Sequence, residues 1–142
     1  MRKETARWIL DTTYRTMNRM NTIITITNET YRRSTTKVRW FDLQYANLRH
    51  LLIHVPNGGY RNAVEAAKFK QMGVRAGVPD LILLYPNKEH PFMGIELKAG
   101  KNRQSVHQKE YEAEFGRIGA KYVVVRSIGE FMKVVNEYLN NV

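Results

Sequence analysis

Asp80 to Tyr85 (Asp-Leu-Ile-Leu-Leu-Tyr) is a short, unbroken apolar run placed between Pro79 and Pro86. A run this short without polar alternation fits a β-strand buried on both faces, and such a strand needs one layer above it and another below. The turn Pro86-Asn87-Lys88-Glu89-His90-Pro91 follows, so Phe92 to Lys98 is expected to return beside it as a hairpin partner. Tyr122 to Val125 is rich in β-branched residues and predicts a further strand.

Helices are predicted around these strands. Trp40 to Ile53 carries Trp40, Phe41, Tyr45, Leu48, Leu51 and Leu52 at helical spacing. Val55-Pro56-Asn57-Gly58-Gly59 then breaks the chain, and Arg61 to Met72 predicts a basic helix ending at Gly73. Ser105 to Ile118 has Ser105 as its N-cap, Gly119 as its stop, and Tyr111, Phe115 and Ile118 on one face. Ser127 to Leu139 is amphipathic through Ile128, Phe131, Val135 and Leu139. The expected order is helix, helix, strand, strand, helix, strand, helix: an α/β layered sandwich with a mixed central sheet flanked by helices.

The 142 residues suit a single core. Residues 1–39 are rich in Thr, Arg and Asn and poor in large aliphatics, which suggests an accessory arm, with the main domain over residues 40–142. Within the arm, residues 4–20 suit a helix and 22–27 an edge strand.

Charge narrows the partners. Lys plus Arg number 23 against 13 Asp plus Glu, a net charge of +10, so the surface attracts polyanions, nucleic acid first among them. No apolar run approaches the length of a membrane span, and the first residues lack the apolar stretch of a signal peptide. With no cysteine, disulfides, thiolate zinc sites and thiol catalysis are excluded. These features together favour a cytoplasmic or nuclear protein.

The acids sit where the two hairpin strands meet. Asp80 opens the first strand, and Glu96 and Lys98 lie near the end of the second, two apart and so on one face, with Leu97 turned to the core. Pairing brings Asp80 towards Glu96. Two converging carboxylates repel unless a cation lies between them, and hard oxygen ligands suit Mg²⁺ or Mn²⁺. Beside such a cation the Lys98 ammonium can position a water, the arrangement for metal-assisted attack on a phosphodiester.

At these residues the sequence resembles the PD-(D/E)xK phosphodiesterase superfamily, and within it the VRR-NUC (virus-type replication-repair nuclease) domain. The resembling stretch runs from about Trp40 to Leu139. It is carried by Val55-Pro56-Asn57-Gly58-Gly59-Tyr60-Arg61, Gly73-Val74-Arg75-Ala76-Gly77-Val78-Pro79-Asp80 and Gly94-Ile95-Glu96-Leu97-Lys98, then Ser105 with Gln108, and Gly119-Ala120-Lys121-Tyr122. The resemblance implies a restriction-endonuclease-like core and a metal held by Asp80, Glu96 and the Leu97 carbonyl. It also implies a catalytic Lys98 and a place for Gln108 in the site. Gln108 lies one helical turn before Tyr111, which independently sets it beside the face packed on the sheet.

In one respect the chain departs from the family, which usually places an acidic residue on the helix leading into the domain. Here that helix offers Asp42 and Gln44. On a continuous helix Gln44 falls on the stripe of Trp40, Leu48 and Leu52, so Gln44 is expected in that place, with Asp42 the weaker option. Fewer carboxylates argue against a two-metal mechanism. Arg61, Lys68, Lys70 and Arg75 before the first strand, and Lys101 and Arg103 after Lys98, suggest a channel for a phosphate backbone. His50, His54, His90 and His107 lack metal-ligand spacing and are read as structural.

The resemblance therefore implies a metal-dependent, structure-selective DNA endonuclease, cutting branched DNA such as Holliday junctions. Stand-alone members of this size resemble phage-encoded dimers, which implies a homodimer working in the host cytoplasm, with the arm supplying the contact. The alternatives are a flap, single-strand or restriction-like nuclease, or a non-catalytic DNA-binding module of the same fold. A basic RNA-binding protein would need neither the strand-edge acids nor a metal.

Overall fold

The computed structural model describes residues 31–57 and 62–142. The helix expected over 4–20, the strand over 22–27 and Arg61 lie outside the described residues. The chain divides into two units, Met1–Arg33 and Ser34–Val142, and the architecture below is that of the second. In this unit Lys37 is buried and Val38 packs on the core.

Helix α1 (residues 31–44) leads through a 3-10 helix (Ala46–Leu51) into strand β1 (Leu52–His54). Helix α2 (Ala63–Gln71), strand β2 (Leu81–Leu83) and strand β3 (Met93–Leu97) follow. Helix α3 (Val106–Arg117), strand β4 (Lys121–Val125) and helix α4 (Ile128–Asn140) complete the unit. The sheet order is β1-β2-β3-β4; β2 runs antiparallel to both β1 and β3, and β4 parallel to β3. The α/β class and mixed, helix-flanked sheet are as the sequence predicts.

The long helix expected over Trp40 to Ile53 is not continuous. It stops before Tyr45, and Leu52–His54 instead pairs with β2, where Leu52 lies opposite Leu83 and is buried. Leu48, Leu51 and Leu52 satisfy a helical repeat, but the open edge of β2 offers Leu52 both burial and ladder hydrogen bonds. A tertiary pairing thus overrides local periodicity.

Alternation along the strands sorts the sheet into two faces. On one, Leu81, Leu83, Met93, Ile95, Leu97 and Val125 join Phe41 of α1 and Phe131 and Val135 of α4 in the apolar core. α4 buries Phe131, Val135, Tyr138 and Leu139 at spacings of four, three and one, a single stripe. The buried Tyr138 keeps its hydroxyl satisfied by donating to the Tyr85 carbonyl at 2.8 Å.

The other face lies under α3. Gly94 is paired there with Ile82 on one side and Tyr122 on the other. The Phe115 ring packs edge-on against Tyr122, 5.6 Å between centroids. A Cβ on Gly94 would stand 2.4 Å from the Phe115 ring and 2.8 Å from Pro79, so only glycine lets α3 close on the sheet here.

Candidate active site

Leu81 pairs with Ile95, so one step outward Asp80 falls opposite Glu96, on the α3 side of the sheet. Asp80 is fixed from two directions. Its carbonyl accepts from the Val55 amide at 2.8 Å, and its Oδ2 accepts from the Leu97 amide at 2.8 Å. The second bond continues the hairpin ladder through a side chain and brings the carboxylate across to β3.

Glu96 is only 2% exposed. Its Oε1 accepts from Gln108 Nε2 at 2.5 Å and lies 3.2 Å from the Lys98 ammonium. Its Oε2 is buried without a well-formed hydrogen bond. Burial first, and the charge of Asp80 second, push the Glu96 carboxyl up to about 7, while Lys98 and the Asp80 backbone pull the other way. The pocket thus holds a carboxylate short of positive charge.

Gln108 joins the strand residues to α3. Ser105 caps the helix by accepting from the Gln108 amide, and Gln108 Oε1 accepts in return from the Ser105 amide at 2.8 Å, a reciprocal capping box. The same Oε1 accepts from Lys98 Nζ at 2.7 Å, while Nε2 donates to Glu96. One amide therefore terminates the helix and cross-links both polar residues of β3 and its exit. Gln108 thus both caps α3 and bonds Glu96 and Lys98.

Burial and the Glu96 charge also raise the ionisation of Tyr122 well above the ordinary phenol range, and its oxygen is buried in the same region. Sequence reasoning missed this residue. Its signal is a lone phenol within a β-branched strand, paired with the small Gly94.

Between α2 and α3 a cleft of about 740 Å³ runs to Asp80 and Gln108. Gly77, at φ +87°, lies against the His107 backbone, where a Cβ would come within 2.4 Å, so the loop before Asp80 is seated on the start of α3. Asn57 ties the same loop down by donating to the Arg75 and Val78 carbonyls at 3.3 and 3.4 Å.

The VRR-NUC domain family model matches residues 17–128 of the chain. The chain belongs to the VRR-NUC family. A solved structure described as a VRR-NUC domain protein is 30% identical to it, with a TM-score of 0.68. That match covers 78% of this chain and 87% of the other. No curated protein matches the chain. VRR-NUC is a nuclease family, so membership makes DNA the expected class of substrate. Among the described residues no helix is long and apolar enough to cross a membrane.

Within this VRR-NUC unit Asp80, Glu96, Lys98 and Gln108 come together, with the Leu97 backbone bonded to Asp80. Gln44 does not join them. It is exposed at the end of α1, where the neighbouring Tyr45 hydroxyl donates to Asn136 of α4 and Trp40 packs edge-on against Phe131. Gln44 does keep the side of Trp40, one helical turn earlier on the same unbroken helix, but Trp40 packs on Phe131 of α4, so that stripe faces away from the α3 side of the sheet. Asp42, on the same turn, is half-buried. Among the described residues no three His, Asp or Glu side chains gather.

Arg75, Lys101 and Arg103 are exposed. Arg75 donates to the Lys70 carbonyl at 2.9 Å, which holds it beside the cleft. The loop carrying Lys101 and Arg103 is clamped by Arg126, which donates to the Gly100 and Asn102 carbonyls at 2.7 and 2.8 Å. His90 contacts the Gly119 carbonyl and stacks on Tyr138, and His107 pairs with Glu110.

Proposed function

We propose that the chain is a divalent-cation-dependent endonuclease that hydrolyses phosphodiester bonds in DNA, with branched DNA such as a four-way junction as its substrate. The pairing of Asp80 with Glu96, cross-linked through Gln108 to Lys98, is the observation that carries this reading. The residues fit a hard cation: two carboxylates converge, and the buried Glu96 Oε2 lacks a well-formed partner. Asp80, Glu96 and the Leu97 carbonyl would hold Mg²⁺, with Mn²⁺ able to substitute. When bound, the cation supplies Lewis acidity towards the phosphate oxygens and lowers the pKa of water.

The chain's own groups do the rest. Gln108 fixes the Glu96 carboxylate and the Lys98 ammonium through the two ends of one amide. Lys98 uses two of its three donors on Gln108 and Glu96, which leaves one N–H for an attacking water or a non-bridging phosphate oxygen. Arg75, Lys101 and Arg103 hold the phosphate backbone on either side, within a chain of net charge +10.

A four-way junction needs two symmetrical cuts, which favours a two-fold dimer with one site per copy. In this reading residues 1–39 supply the contact and the enzyme works in the cytoplasm, that of the host if phage-encoded. The test incubates labelled junction, flap, single-stranded and duplex DNA with Mg²⁺, Mn²⁺ or EDTA, beside Asp80→Ala and Lys98→Ala. Metal-dependent cutting lost in both variants is expected. Binding without cutting in either metal sinks the reading and leaves a non-catalytic binding module.

A further inference from the structure

We infer that the cleft between α2 and α3 receives an unpaired nucleotide of the DNA, its base held out of the helical stack beside the bond to be cut. This rests on the reading of Asp80 and Glu96 as the cutting site, because the cleft ends on Asp80 and Gln108.

The walls are not those of a phosphate channel. Phe69 from α2 and Tyr111 from α3 line the cleft, with Val74 and Val78 from the loop between α2 and β2. Both aromatic residues are half-buried. Lys70 and Arg75 supply the cationic lining and are exposed, Arg75 being held by its bond to the Lys70 carbonyl. Flat apolar surface inside and cations outside match a nucleotide, whose base stacks while its phosphate stays near water. The volume, about 740 Å³, falls within the usual range for small-ligand pockets.

α2 itself gives the second reason. None of its residues is buried, and Val64, on the same helix, is 65% exposed. A helix that buries no residue in the core is not explained by the core. Its N-terminus is capped by Asn62 accepting from the Glu65 amide, and the loop after it is tied by Asn57 and seated against α3 through Gly77. These contacts hold the helix as one wall of the cleft. A base stacked there gains affinity whatever its identity, since every base has an aromatic face. The enzyme would then prefer cutting sites next to a nucleotide already unpaired, as at a branch point.

The test uses the full chain in EDTA, so that binding is read without cutting. Two duplexes carry 2-aminopurine, one with it unpaired as a single-nucleotide bulge, the other fully paired. Wild type is expected to bind the bulged duplex about ten-fold more tightly and to change the 2-aminopurine emission. Phe69→Ala and Tyr111→Ala should lose that preference and signal while keeping their affinity for the paired duplex. Tyr111→Phe, which keeps the ring, should retain both, and thermal melting checks that each variant is folded.

Equal weakening on both duplexes, or no preference by wild type, overturns the inference in favour of a backbone-phosphate groove. The nuclease reading fails separately. If Mg²⁺ and Mn²⁺ give no cutting while the ring-dependent preference persists, the cleft assignment stands as a binding site.

Discussion

On the α4 side of the sheet, Leu81, Met93, Ile95 and Val125 meet Phe41, Phe131 and Val135, side chains that need no hydrogen bond, and the one hydroxyl of the cluster, that of Tyr138, donates to the Tyr85 carbonyl. On the α3 side the same strands present Glu96, with Asp80 opposite it and Lys98 beyond, among Gly94, Tyr122 and Phe115. One face gains free energy from every residue it buries. The other buries a carboxylate beside a second one, an arrangement that opposes folding unless charge is supplied. The comparison separates two duties within one sheet: the apolar face holds the strands in register, and that register sets the carboxylates against each other. Variants on the two faces should therefore fail in different ways.

The largest effect is expected at Lys98. Replacing it with Ala removes the cation from both Gln108 Oε1 and Glu96 Oε1 and the donor directed to substrate. Cutting rates should fall about 10²- to 10⁴-fold while circular dichroism still reports a folded protein. A Lys98→Ala protein that cuts at the normal rate would remove this face from the chemistry altogether.

Phe131→Ala tests the opposite face. Phe131 is fully buried, and truncation leaves a cavity under the sheet, costing about 3–5 kcal/mol in denaturant unfolding. The rate per folded molecule should stay near that of wild type. A fall in rate without loss of stability would mean that the apolar face does more than hold register.

Glu96 offers a pH test with a defined sign. Its carboxyl lies at about 7 in the folded protein against 4.5 for the free side chain, so the folded state holds its proton more tightly than the unfolded state. Its contribution to stability is therefore fully present below about pH 4.5 and is lost as pH rises through about 7. In EDTA, Glu96→Gln should lack this loss and exceed wild type at pH 8 by about 2 kcal/mol. Mg²⁺ should narrow the gap by stabilising wild type alone, measured as a melting shift. No pH-dependent difference between the two proteins would show that Glu96 is not held against its charge.

Much of this contrast was legible in the sequence, for physical reasons that differ by element. Asp-Leu-Ile-Leu-Leu-Tyr marks a strand because no polar residue interrupts it, although only Leu81–Leu83 pair and Leu84 is exposed; Ser105 and Ser127 cap α3 and α4 through their hydroxyls, and Gly119, at positive φ, ends α3. The pairing of Asp80 with Glu96 followed from hairpin geometry alone. β1 was hidden, because Leu48, Leu51 and Leu52 fit a helical repeat as well as an edge strand, and only the partner strand decides between them. Gln44 shares the Trp40 side of α1, and only the tertiary packing of Trp40 on Phe131 shows that this side meets α4. Tyr122 stands out locally only as a lone phenol in a β-branched strand, and the cleft between α2 and α3 needs tertiary contacts that no local pattern encodes.

The smallest expected effect separates the two duties that meet in Gln108. Ser105→Ala removes the hydroxyl that caps α3 and should cost about 1 kcal/mol of stability. It leaves Gln108 free to keep its bond to Glu96 and its acceptance from Lys98, so cutting should stay within a few-fold of wild type. Gln108→Glu does the reverse. A glutamate satisfies the capping box as well as glutamine, but it replaces the Nε2 donor to Glu96 with another carboxylate oxygen. Stability at the helix start should then persist while cutting falls well below that of Ser105→Ala. If the two variants instead lose stability and activity in the same proportion, the amide serves the α3 terminus alone, and the boundary between structural and chemical faces lies closer to β3.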